Sequence, residues 1–181
     1  TRFMTPPTRG YTLMREAVLS LSLSQAFSRP LINPRQSQPY TYAASPLTGF
    51  PGRDSEFERG PCAGAPLFNR RVKDDGYLLD YLGKGFSGLY FGRDGKPPAV
   101  VKALFAQLAV GDEPFTLIAI TDAPDGDGGV FVDKEKKIFD AYGADYETFY
   151  LVRPDRHVCA RWKHIQPNEV VQAIKQALGE T

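Results

Sequence analysis

Apolar and polar positions follow two different patterns along this chain, and the change falls near Arg71. Beyond it, short apolar runs separated by turn formers predict strands and helices in alternation. Residues 86–91 (Phe-Ser-Gly-Leu-Tyr-Phe) read as a strand, and 98–110 as a helix with Val101, Leu104, Phe105 and Leu108 on its inner side. Residues 115–121 read as a buried strand, followed by a short strand at 130–132 and a helix over 134–142. Phe149-Tyr-Leu-Val152 and Val158-Cys-Ala-Arg-Trp162 are strand-like runs around Pro154-Asp155, where the proline ring presets its own φ for a turn, so 149–162 reads as a β-hairpin. A closing helix over 168–178 carries Val170, Val171, Ile174 and Leu178.

The first part is less regular. Nine of the 15 prolines lie in residues 1–72, and those at 30, 34, 39, 46, 51, 61 and 66 are too closely spaced for a helix or central strand to persist. Residues 29–70 therefore read as an extended arm. Ahead of it, 11–27 has helical spacing, with Leu13, Ala17 and Leu21 on one line and Met14 and Val18 beside them, although Leu19-Ser-Leu-Ser-Leu23 alternates like a strand. An apolar stripe of this kind has to be buried against something, expected to be another domain or another copy of the chain. Residues 1–72 hold nine Arg, no Lys and four acidic residues, for a net charge of +5 against −4 for 73–181. Two segments are expected: 1–72, a helix and linker arm, and 73–181, a folded domain.

At 181 residues and 42% hydrophobic, the chain can bury one substantial core. Its overall charge of +1 provides no field to draw in nucleic acid or an anionic membrane. No apolar run approaches the roughly 20 residues that cross a bilayer, and the start lacks the order of a signal peptide, so a soluble, cytoplasmic protein is expected. A first residue of Thr suits an excised or processed piece. Cys62 and Cys159 fit neither a disulfide framework nor a CxxC pair and are expected to be idle thiols.

Several short patterns invite chemistry. Gly83-Lys-Gly-Phe-Ser-Gly88 matches G-x-G-x-x-G, but a phosphate cradle follows a strand and opens a helix, whereas these glycines lead into a strand. His157, Cys159 and His164 suggest a metal or a Cys–His nucleophile; the set lacks a fourth ligand and an orienting group, and structural roles are expected. Asp122, Asp125 and Asp127 fail the EF-hand register, since counting from Asp125 puts Lys136 where a bidentate Glu is required. Tyr77, Tyr81, Phe86, Tyr90 and Phe91 are read as core rather than as a stacking platform. No catalytic, cofactor-binding or metal-ligating residue is assigned.

The element order is βαβ, then a short βα, then ββα, which is the thioredoxin order. A thioredoxin-like α/β domain would place CxxC at the start of the helix after residue 91, where a helix N-terminus lowers a thiol pKa. Gly92-Arg-Asp-Gly-Lys-Pro97 stands there, and Tyr146-Glu-Thr-Phe149 replaces the usual proline before the hairpin. Such a domain would be redox-inactive.

Phe139-Asp-Ala-Tyr-Gly143 together with the Arg153-Pro-Asp155 hairpin resembles the ending of the C-terminal thioredoxin-like domain in FAD-dependent aromatic hydroxylases of the phenol 2-monooxygenase type. Arg2-Phe-Met-Thr-Pro-Pro7, Leu13-Met-Arg-Glu-Ala-Val-Leu19, Pro30-Leu-Ile-Asn-Pro-Arg-Gln36 and Tyr42-Ala-Ala-Ser-Pro-Leu47 resemble, in order, the segment that precedes that domain. The resemblance implies a parent enzyme in which NAD(P)H reduces FAD and a flavin hydroperoxide hydroxylates an aromatic ring. It implies that the flavin-binding part lies outside this sequence, and that the partner is that flavin domain or a second subunit, with a homodimer expected. Arg153, Pro154 and Asp155 are read as turn residues without a catalytic role. The rival expectation is a free-standing thioredoxin-like binding module without redox activity.

Overall fold

The computed structural model describes residues 2–28, 32, 39–48, 51–73, 76–94, 96–110, 113–123 and 130–180. The chain divides into two compact units, Thr1–Pro39 and Tyr40–Thr181.

In the first unit, helix α1 spans Arg9–Ser24. Thr8 caps it by accepting the Tyr11 N–H at 3.5 Å, so it starts two residues earlier than the apolar spacing suggests. Gln25 closes it in extended backbone, and a single 3-10 turn follows at Ala26–Ser28.

The second unit is a mixed α/β fold. Its strands among the described residues are β1 (Arg71–Lys73), β2 (Gly76–Tyr77), β3 (Ser87–Phe91), β4 (Ala109–Val110), β5 (Glu113–Pro114), β6 (Thr116–Thr121), β7 (Val130–Val132), β8 (Phe149–Val152) and β9 (Val158–Trp162). Its helices are α2 (Ala99–Gln107), α3 (Lys137–Tyr142) and α4 (Pro167–Leu178). Five strands form the central sheet in the order β7-β6-β3-β8-β9. β3, β6 and β7 run parallel, with Leu89 opposite Ile118 and Ile120 opposite Phe131. β8 and β9 return antiparallel as the expected hairpin, with Phe149 opposite Trp162.

The helices begin and end for local reasons. α2 stops at Gln107 because Ala109–Val110 joins a two-stranded ladder with Glu113–Pro114, three residues short of the expected end. α3 starts at Lys137, three residues late, because the Asp133 carboxylate accepts the N–H groups of Ile138 and Phe139 at 2.7 and 2.9 Å, and the turn between them precedes the helix.

Each face of the sheet has its own core. On one, Tyr90, Phe149, Leu151 and Trp162 pack against Val101 and Phe105 of α2 and Val170 and Ile174 of α4. Leu178, expected to face inward, is 41% exposed beyond that contact. On the other, Leu89, Phe91, Ile120, Tyr150 and Val158 meet Ile138, Phe139 and Tyr142 of α3. At six residues, α3 is too short to cover this face alone.

The remainder is covered by the segment expected to be an arm. Phe57 and Leu67 are buried in the same core, together with Leu78 and Leu82. Pro51–Glu56 is a 3-10 helix, and residues 64–67 pair with the outer edge of β9 and the turn before it: Gly64 N–H donates to Val158 O at 2.8 Å, Val158 N–H to Ala65 O at 2.9 Å, and Leu67 N–H to Arg156 O at 2.9 Å. The compositional break near Arg71 is therefore not the edge of the compact unit, which begins at Tyr40. A proline-rich stretch makes a poor helix but a serviceable strap, because its fixed backbone can lie along a sheet edge. The expected arm residues 29–31, 33–38, 49 and 50 lie outside the described residues.

Candidate functional site

Beyond the C-terminal end of β3, this chain has a web of charge and hydrogen bonds. Tyr146 lies under two cations, the Arg93 guanidinium at 4.9 Å and the Lys136 ammonium at 5.5 Å from its ring centre. Its hydroxyl donates to Asp122 at 2.8 Å, and Lys136 pairs with the same carboxylate at 2.8 Å. The Lys136 ammonium, followed by the Tyr146 hydroxyl, holds the Asp122 carboxyl below the usual carboxylate range. Thr121 donates to the Arg93 carbonyl at 2.6 Å and fixes the start of the loop to α2. This arrangement ties together the segments that follow β3, β6 and β7 and the one that precedes β8, and it contains no thiol. Asp125 and Asp127 lie outside the described residues.

The glycines of the 83–88 motif have packing reasons. A Cβ on Gly83 would sit 2.1 Å from Thr116 Oγ1, and one on Gly88 would sit 2.5 Å from the Phe149 ring. The motif leads into β3, and the next helix starts at Ala99. That placement does not fit a flavin pyrophosphate, which needs a helix N-terminus directly after the glycines.

Around the hairpin turn, the Arg153 guanidinium forks onto the Asp155 carboxylate, with Nε–H donating at 3.2 Å. Asp155 also accepts the His157 N–H at 3.2 Å. This is the geometry of a braced turn. Among the described residues, the buried Arg153 Nη1 group has no hydrogen-bond partner. The His157 ring is within hydrogen-bonding distance of the Asp155 carbonyl at 3.1 Å and lies edge-on to Tyr42, with ring centres 5.4 Å apart.

The structure does not bring the histidines and Cys159 together as ligands. Cys159 is buried against α4, with its sulfur 3.7 Å from the Ala173 carbonyl, while His157 faces Tyr42 and the exposed His164 sits 3.0 Å from Glu147. Among the described residues no group of three or more His, Cys, Asp or Glu side chains forms a metal-binding cluster. Both cysteines are free thiols. Because Cys159 is fully buried and Cys62 only half-buried, alkylation of the native chain should modify Cys62 first, and Cys159 only on unfolding. Peptide mass spectrometry after a short iodoacetamide pulse would check this; early labelling of Cys159 would contradict it. Of the aromatics expected in the core, Phe86, Tyr90 and Phe91 are buried and Tyr81 packs against it, but Tyr77 is 48% exposed.

The most heavily built feature went unforeseen in the sequence. Two opposed ion pairs clamp the 53–67 strap to the hairpin and α4. Arg53 of the strap grips Glu169 of α4 at 2.6 and 3.3 Å, and Glu169 also accepts the Trp162 indole N–H at 2.6 Å. Next in sequence, Asp54 of the strap binds Arg161 of β9, whose side chain is only 5% exposed. Arg161 Nη1 further donates to the Arg59 carbonyl at 3.1 Å and the Tyr150 hydroxyl at 3.4 Å. The Phe57 ring meets two cations, Arg161 and Lys163, at 4.3 and 4.8 Å from its centre. A charged residue in the middle of the apolar run 158–162 was the signal in the sequence, since a buried guanidinium requires a carboxylate.

Arg53 holds the Glu169 carboxyl below its ordinary range, through its hydrogen bond first. A carboxyl depressed in the folded state adds stability above the unfolded value of about 4.3, and loses it as pH falls through the lowered folded value. Glu169→Gln should therefore flatten the acid side of the stability profile below about pH 4.3, as read by urea midpoints. An unchanged slope would remove Glu169 from the clamp.

The likeness of this chain to known proteins lies in structure. No protein-family model matches the sequence, and no curated protein matches it. Among solved structures, the flavin-dependent monooxygenase PieE in complex with FAD and substrate matches with a TM-score of 0.63 at 21% identity, over 99% of this chain and 31% of PieE. The rebeccamycin biosynthetic enzyme RebC matches in its chromopyrrolic acid-soaked form with a TM-score of 0.57 at 21% identity, over 99% of this chain and 31% of RebC. The substrate-free form of RebC gives 0.54 at 21% identity, over 98% and 29%. The chain thus spans about three tenths of the length of these proteins.

Proposed function

We propose that this chain is a redox-silent, thioredoxin-like portion of an FAD-dependent monooxygenase whose flavin-binding part lies elsewhere in the protein. In this reading the whole enzyme uses NAD(P)H to hydroxylate an aromatic substrate, and the present portion supplies structure and an interface rather than chemistry. The observation that carries it is the match to flavin-dependent monooxygenases over 98–99% of this chain and about three tenths of theirs. The sheet order β6-β3-β8-β9 supports the thioredoxin-like part, because a parallel βαβ pair followed by an antiparallel ββα unit is the minimal form of that fold, with β7 added at the edge. The charge web at residues 93, 122, 136 and 146 supports redox silence. The partner is the flavin-bearing region or a second subunit, and the proposed assembly is a homodimer.

The purified chain alone should be colourless and should fail to catalyse thiol-dependent reduction of insulin disulfides. Stoichiometric flavin absorbance surviving dialysis, or thiol turnover abolished by Cys159→Ser, would overturn this reading.

A further inference from the structure

We draw no further inference here: the strongest candidate, the polar cleft of about 460 Å³ between the strap, the C-terminal end of α3 and the residues after β9, is a cluster of acidic side chains (Glu56, Glu58, Asp140 and Asp145) with no second observation among the described residues that points to a ligand.

Discussion

A chain shortened to residues 40–181 should keep a single cooperative thermal transition, and one shortened to 74–181 should lose it. The second truncation removes Phe57 and Leu67 from the α3-side core, each worth about 1.5 to 3 kcal/mol of burial. It also removes Asp54, leaving the Arg161 guanidinium without its carboxylate, and uncovers the β9 edge that residues 64–67 pair with. Together these losses approach the 5 to 15 kcal/mol that is the whole stability of an ordinary domain. The shorter chain should therefore show weak near-ultraviolet circular dichroism and bind a hydrophobic dye. A 74–181 chain melting cooperatively within a few degrees of the full chain would show the strap to be ornamental.

Within the strap, Asp54→Ala should be among the most damaging single substitutions, at about 3 kcal/mol by urea unfolding. Arg161 lies within the apolar run of β9 with its side chain 5% exposed, so removing its partner strands a charge. Part of the guanidinium remains served by the Arg59 carbonyl and the Tyr150 hydroxyl, which keeps the loss from growing further. Arg161→Met should cost less, because the Asp54 side chain is 25% exposed and can recover water. The double variant should lose less than the sum of the two, since once one partner is gone the other no longer contributes its charge. Additive losses would mean that the pair is not coupled. Gly60→Ala, by contrast, tests backbone geometry: φ is +94° there, and a Cβ would meet the Tyr142 carbonyl at 2.4 Å.

The hairpin and the central strands were legible from sequence because each is a short apolar run with turn chemistry at its ends. Val130–Val132 and Val158–Trp162 fall where the pattern puts them. Helix ends were less legible, since Asp133 and the Ala109–Val110 ladder act through hydrogen bonds that periodicity does not register. The strap was missed for a different reason. Proline density signals the absence of helix and central strand but says nothing about burial; Phe57 stands singly among polar residues, and Leu67 follows a run of Ala, Gly and Pro with no period. Arg161 in the middle of an apolar strand pointed to a buried carboxylate, but 107 residues of sequence separate it from Asp54. At the candidate site, the sequence made clear that Gly92-Arg-Asp-Gly-Lys-Pro97 carries no thiol. The pairing of Tyr146 with Arg93, Lys136 and Asp122 emerges only when four separate segments converge.

The most direct measurement is the intact mass and visible absorbance of the native gene product, purified without denaturation. The account predicts a polypeptide roughly three times the length of this chain, by the share it spans of its structural relatives, with flavin absorbance that survives dialysis. A colourless product of this chain's own length, binding no flavin, would contradict it.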